Sequence, residues 1–315
     1  MVENYGLPYT GSKSRIAHWV IDHLPRGSVL IDAFTGGCAI THRALLSQKW
    51  QTIIANDING KYPQLFLDAV RGKYRDERRW ISREDFERLK SQDAFVACCW
   101  SFGNNLRYYM YSQDIEPYKR ALHYANVLDD FGPMQELMPE VAQAVADALQ
   151  GQNNLHDRRV TAQRIIVKTL QRLTGDNYAH SIIQSNPLYQ SIRHTSRKDA
   201  QRLQSLQSLE RLQSLQSLLV TSQSYDEIDI PDDAVVYCDP PYHACDKRFY
   251  EGTSMGFDHG AFYDWCVRVS KTNPIFISEY SIEDDRFEVV AEKSKMTSIA
   301  SKKTFNVTER LYTVK

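Results

Sequence analysis

An acid, two prolines and a tyrosine stand in a row at Asp239-Pro240-Pro241-Tyr242, directly after the apolar run Ala234-Val235-Val236-Tyr237. Two adjacent prolines remove two backbone donors and fix two φ angles, so this tetrapeptide cannot continue the ladder of a central strand. It forms a rigid corner with an unusual inventory. The Asp239 carboxylate and the Pro240 carbonyl are acceptors and the prolines bring no competing N–H, which suits the protons of an amino group. Tyr242 adds a flat face on which an aromatic ring can stack, a contact worth about 1–3 kcal/mol per base. An exocyclic amine held in this way has its lone pair directed out of the ring plane, where it can act as a nucleophile. Taken alone, the same four residues also read as a strand-ending turn with Tyr242 in the core.

A second candidate lies near the start of the chain. "SVLIDAFTGG" is an apolar strand, Val29 to Ile31, running into a glycine turn over Asp32–Gly37, and "AITHRALLSQ" after it has helical spacing. A glycine turn at the carboxyl end of a strand lets a ligand approach the backbone closely, although by itself it reads equally well as a tight turn. It is neither GxGxxG nor a loop ending in Lys-Ser/Thr, so neither a dinucleotide nor ATP is supported. Asp57 ends the next β-branched run, "TIIANDI", and an acid there is placed to accept from ribose hydroxyls. A nucleoside without pyrophosphate satisfies both observations, and S-adenosylmethionine is such a ligand.

The elements that must position these residues follow from the rest of the chain. At 315 residues, 42% hydrophobic and 24% charged, it has the composition of a folded globular protein. No apolar run reaches 18 residues and the first residues lack an apolar signal core, so the expectation is a cytoplasmic protein without a membrane partner. The six cysteines include no CxxC pair and the nine histidines no HExxH, so no metal site is expected. Cys38 and Cys238 read as small buried residues, and His243 as a histidine of a surface loop. A net charge of −1 does not by itself predict a polyanion partner. The basic residues cluster, however, as Arg71 to Arg83, Arg158 to Arg172 and Arg193 to Arg202, each of which alone reads as a solvated helix face.

From about Arg71 to Asn186 the strand signal almost vanishes, and "REDFERLK", "EPYKRALHYANVLDD" and "PEVAQAVADALQ" are helical. Strands return as "LLVTSQ", "AVVYCDPP" and "NPIFISEY", with a helix "GAFYDWCVRVSKT" before the last and β-type runs "FEVVAEK" and "RLYTVK" at the end. The pattern is a doubly wound α/β sheet interrupted by a mainly helical insertion. Leucines at 203, 206, 209, 212, 215 and 218 repeat every three residues, a period that matches neither the heptad nor the straight α-helix. They read as a helix packed on several sides, with a coiled-coil dimer as the alternative to a monomer.

"LPYTGSKSRIAHWVIDHLP", "LIDAFTGGCAI", "IIANDIN" and "VVYCDPPY" together resemble, in that order, the N-terminal cofactor segment, glycine loop, ribose acid and catalytic motif of the α-group (Dam-like) DNA adenine-N6 methyltransferases. "CWSFGNNLRYYMYS" and "FISEY" resemble phage and prophage members. The resemblance implies a Rossmann-like methyltransferase sheet formed by residues 1–69 and 190–315, with a helical DNA-recognition domain at 70–189. It implies that Tyr9 and Lys13 contact S-adenosylmethionine, that Phe34 and Gly36 lie under its methionine part, that Asp57 holds its ribose and that Tyr225 lies beside its adenine. Asp239 would also contact the cofactor, and Asp239 and Pro240 would accept from N6 of a target adenine flipped out of double-stranded DNA, with Pro241 fixing the corner and Tyr242 stacked on the ring. The family usually shows Pro where Ala33 stands and Gly-Ser where Cys38-Ala39 stand. Adenine in RNA as the acceptor, and a catalytically silent DNA-binding protein on the same scaffold, are the other readings.

Overall fold

Short runs of β-branched and apolar residues form the strands Val29–Asp32 (β1), Thr52–Asn56 (β2), Ser217–Thr221 (β3), Val235–Cys238 (β4) and Ile275–Glu279 (β5), followed by the long pair Phe287–Ser298 (β6) and Thr304–Val314 (β7). The structure, a computed structural model, describes residues 4–174, 199–213, 217–242, 257–298 and 304–315. Among these, the strands form one seven-stranded sheet in the order β3-β2-β1-β4-β5-β7-β6. β1 to β5 run parallel, and β7 is antiparallel to both β5 and β6. This is the mostly parallel, Rossmann-like α/β sheet that the alternation of elements predicts.

Every residue of β4 and β5 is buried, and the neighbours Leu30 and Ile31 of β1 are fully buried although they point to opposite faces. The middle of the sheet is therefore covered on both sides, as a parallel sheet requires. On one side Ile31, Val236 and Ile277 join Phe262, Trp265 and Cys266 of the helix His259–Val269 in a common core. β6 and β7 extend beyond the apolar runs that announce them, because the added residues, such as "KSKMTS", are mostly polar and carry no hydrophobic signal.

By proximity the chain divides into two compact units, Met1–Arg71 with Leu209–Lys315, and Gly72–Ser208. The sheet belongs to the first. The division after Ser208 lies later than the boundary read from the sequence at 189/190, which falls outside the described residues.

The described part of the second unit is built on helices, including Arg83–Leu89, Ala94–Trp100, Glu116–His123, Pro139–Leu149 and Leu155–Thr174. Ser82 and Asp93 cap the first two through their side chains, as those residue types do at helix starts. Met134, Val141, Val145, Leu149 and Ile166 supply a core of its own. The run expected as one helix from Glu116 changes at Tyr124 to a π-turn that ends at Asp129 in the left-handed region (φ 58°).

Two arginines of the basic clusters are buried braces. Arg158 donates to the carbonyls of Ala125, Asn126, Leu149 and Gln152 and pairs with Asp129. Arg202 donates to the carbonyls of Cys99 and Ser101 and to Asn104 Oδ1. Arg193, Arg197 and Lys198 lie outside the described residues.

The leucine repeat also has a physical account. Leu203, Leu206, Leu209 and Leu212 are buried where the helix Asp199–Gln207 tightens into a 3-10 turn over Ser208–Leu212. Three residues per turn is the period of a 3-10 helix, so leucines three apart stay in line there. Leu215 lies outside the described residues.

Asn56 ties the carboxyl ends of the strands together. Its amide donates to the carbonyls of Ala33 and Gln223 and accepts from Thr221 Oγ1 and the Gln223 N–H, so all four of its bonds are used. Replacing Asn56 by Ala removes all four bonds, including the one to the buried Ala33 carbonyl, and chemical denaturation is expected to show a loss of about 2–3 kcal/mol.

Candidate active site

The sheet reverses its winding between β1 and β4, so the loops that follow these two strands leave neighbouring carboxyl ends in opposite directions. Asp32 is paired in register with Tyr237, and the Ala33 N–H donates to the Tyr237 carbonyl at 2.9 Å. The glycine turn and the Asp239 corner thus begin side by side.

In the glycine turn the Thr35 N–H bonds the Asn56 carbonyl (2.9 Å) and the Cys38 N–H bonds the Thr35 carbonyl (2.7 Å). Gly36 has φ 48° and Cys38 φ 61°. The left-handed conformation accounts for the glycine that the family usually carries at the second position; a residue with a Cβ is disfavoured there by roughly 1–2 kcal/mol. Cys38 and Cys238 are fully buried, and burial pushes both thiols well above the ordinary range. Among the described residues, no group of three or more His, Cys, Asp or Glu side chains could hold a metal ion. His243 lies outside them.

Asp57 and Asp32 hold this turn in different ways. Asp57 Oδ2 accepts from the Gly36 N–H at 2.9 Å and Oδ1 from the Asn59 N–H at 2.8 Å. Burial raises its pKa and those two amides oppose the rise. Asp32 Oδ2, Thr35 Oγ1 and Thr41 Oγ1 lie 2.7 to 2.9 Å from one another, three contacts served by two hydroxyl hydrogens. The Thr41 N–H also donates to Asp32 Oδ2, at 3.1 Å. Burial pushes Asp32 up to about 6, against the pull of Thr41 and Thr35.

The N-terminal segment lies across the turn. The Leu7 N–H donates to the Gly37 carbonyl at 2.7 Å, and a Cβ on Gly37 would stand 2.5 Å from the Tyr9 Cβ. Tyr9 therefore sits directly on the glycines. A turn bond from the Ser12 N–H to the Tyr9 carbonyl (3.3 Å) then carries the chain to Lys13, whose Nζ is 2.7 Å from Asp239 Oδ1. A four-residue turn keeps its ends within about 7 Å, so the glycines and the acid are held close.

At the corner, Lys13 Nζ also stands 4.4 Å above the centre of the Tyr242 ring and 3.5 Å from Glu309 Oε1. The Tyr242 hydroxyl donates to the same Glu309 oxygen, and its ring is in edge contact with Tyr280 at 4.6 Å. His259 Nε2 donates to the Pro241 carbonyl at 3.0 Å, fixing the second proline; Pro240 is buried. Asp239 remains 17% exposed whereas Glu309 is fully buried. Burial, followed by the charges of Asp239 and Glu309, holds the Tyr242 phenol well above its ordinary value.

Glu309 was not singled out in the sequence, where it is one acid in a late strand. The available signal is its two-residue spacing from Leu311, which puts both on one face of β7, and both are fully buried.

Phe34 and Tyr225 lie together, with ring centres 5.6 Å apart, and Phe262 and Trp265 meet Tyr225 edge-on. The structure thus joins the site residues read from the sequence in three groups: Tyr9 with Gly36 and Asp57, Phe34 with Tyr225, and Lys13 with Asp239 and Tyr242. Lys13, expected on the cofactor, pairs with the acid of the corner.

Two outcomes are expected. Because folded Asp32 takes up its proton near pH 6 and an ordinary aspartate at 3.8, the native state holds more protons between those values, and stability falls as pH rises from about 4 to 6. The size is of order 3 kcal/mol, and denaturation midpoints measured across that range should show the fall in the natural protein and not in Asp32→Asn. Gly37→Ala must displace Tyr9, so chemical denaturation should show a loss of about 1–3 kcal/mol.

Residues 9–131 match the family model described as D12 class N6 adenine-specific DNA methyltransferase. The match includes Tyr9, Lys13, Phe34, Gly36 and Asp57, whereas Tyr225 and the Asp239 corner lie beyond it. No curated protein matches the chain. No described helix is long and apolar enough to cross a membrane. The matched residues and the order of the motifs agree, and over residues 9–131 the chain is similar to the D12 class N6 adenine-specific DNA methyltransferases.

Proposed function

We propose that this protein transfers a methyl group from S-adenosylmethionine to N6 of an adenine extruded from duplex DNA, at the corner formed by Asp239, Pro240, Pro241 and Tyr242. The observation that carries this reading is that an amine already sits there. The Lys13 ammonium bonds the Asp239 carboxylate and covers the Tyr242 ring, the two contacts that N6 and the purine of the target need.

The residues of the glycine turn fit the donor. Each Asp57 oxygen accepts one backbone N–H and keeps a lone pair for a ribose hydroxyl. Phe34 and Tyr225 offer aromatic faces, and Gly37 with Tyr9 forms a close-packed floor. When bound, S-adenosylmethionine supplies an electrophilic methyl carbon on a sulfonium whose departure leaves a neutral thioether.

The chain's own residues do the rest. Asp239 and the Pro240 carbonyl accept the two N6 protons, which turns the nitrogen lone pair towards the donor. Tyr242, held by Glu309, keeps the ring in plane. As the nitrogen–carbon bond forms, Asp239 takes the proton that N6 must release. Positioning and exclusion of water supply most of the rate.

Reading of the flanking bases is assigned to the unit Gly72–Ser208. Its turn from Ser101 to Tyr109 exposes Phe102 (62%) and Tyr108 (67%), apolar rings suited to wedging into a base stack. Gly103, Asn104 and Leu106 in that turn all have positive φ, and Arg202 braces it from inside.

Expression in a host without adenine methylation, followed by mapping of modified adenines, is expected to show N6-methyladenine in one sequence context. Asp239→Asn should lower methyl transfer by about 10² or more while the fold survives. Label in RNA and not duplex DNA would move the activity to the RNA reading, and absence of S-adenosylmethionine binding would leave a silent DNA-binding protein.

A further inference from the structure

We propose that Lys13 is an internal surrogate for the target amine: its ammonium keeps the Asp239–Tyr242 seat formed while no base is bound, and passes to Glu309 when adenine N6 enters. The inference rests on the adenine-N6 reading above and adds to it a role for two residues, one expected on the cofactor and one not expected at all.

Three distances carry it. Lys13 Nζ is 2.7 Å from Asp239 Oδ1, 4.4 Å from the centre of the Tyr242 ring and 3.5 Å from Glu309 Oε1. A purine stacked on the ring would occupy the space over the same face, at the usual contact of about 3.5–4 Å between carbon atoms. Ammonium and base therefore compete for one place. The lysine has to move, and the geometry supplies a destination: Glu309 is fully buried, accepts the Tyr242 hydroxyl and already pairs with Nζ at 3.5 Å, so the ammonium need only exchange its closer contact with Asp239 for a closer one with Glu309.

Charge explains why such a residue is needed. Two carboxylates share a poorly hydrated corner, and without a cation one of them would be driven to take up a proton. A protonated Asp239 would lose half of its acceptor capacity for N6. The ammonium keeps Asp239 ionised before the base arrives. By moving only towards Glu309 it keeps the net charge of the site unchanged when the neutral adenine displaces it. The flexible four-carbon stem of lysine permits that short transfer, which the bulkier planar guanidinium of arginine would not.

The test uses the full chain and a duplex carrying the mapped recognition sequence, with 2-aminopurine at the target adenine. Its fluorescence reports the extruded fraction, and calorimetry reports the affinity for S-adenosylmethionine. Lys13→Met removes the competitor and keeps the stem, so the extruded fraction should rise about threefold or more, with cofactor affinity changed less than that. Glu309→Gln keeps an acceptor for Tyr242 and removes the destination, so KM for DNA should rise about tenfold, and adding Lys13→Met should abolish that rise. The inference is overturned if Lys13→Met weakens cofactor binding and leaves extrusion unchanged, or if the effect of Glu309→Gln is the same with and without Lys13. Should Glu309→Gln fail to fold, the extrusion measured with Lys13→Met decides alone. Absence of adenine methylation by the natural protein would instead remove the functional reading itself.

Discussion

The parallel pairing of β1 with β4 is the constraint from which the site follows. Between these strands the sheet changes its direction of winding, so the two loops that leave their carboxyl ends run in opposite directions. The bond from the Ala33 N–H to the Tyr237 carbonyl fixes where each loop begins. The glycine turn and the acid corner, some two hundred residues apart in the chain, become neighbours through three residue pairs of β-ladder. The N-terminal segment completes the arrangement by lying on the glycines at Tyr9 and reaching the acid at Lys13.

Carboxylates at this edge face one shared problem, the loss of water, and they meet it in three ways. Asp32, among the described residues, accepts from two threonine hydroxyls and the Thr41 N–H, and burial still pushes its carboxyl up to about 6. Asp57 is held by two backbone N–H groups, of Gly36 and Asn59. Asp239 and Glu309 share a lysine. The differences matter because a carboxylate that pairs with an ammonium must be ionised, whereas a carboxyl group that only shapes a turn can be neutral.

The helical unit gives a different lesson about charge. Arg158 and Arg202 sit in clusters that look like solvated or DNA-facing surfaces, yet both guanidiniums are buried among backbone carbonyls. A guanidinium offers five donors in a fixed fork, which suits the unpaired carbonyls at helix ends and turns as well as it suits phosphate. Counting basic residues cannot separate the two uses, because only the three-dimensional surroundings decide which carbonyls lack partners.

By itself the sequence determined the class of the sheet, the turn at Asp32–Gly37, the acid after the second strand at Asp57 and the proline corner at Asp239–Tyr242. These are local properties: β-branched runs, glycines where φ is positive or a side chain presses close, and paired prolines that end a strand all act within a few residues of themselves. The tertiary structure alone decided that Lys13 meets Asp239, that Glu309 lies beneath Tyr242, and that the leucine repeat is buried through a 3-10 turn. Those outcomes depend on which distant strands become neighbours and on how buried charge is balanced between them, and neither quantity is carried by the spacing of residues along the chain.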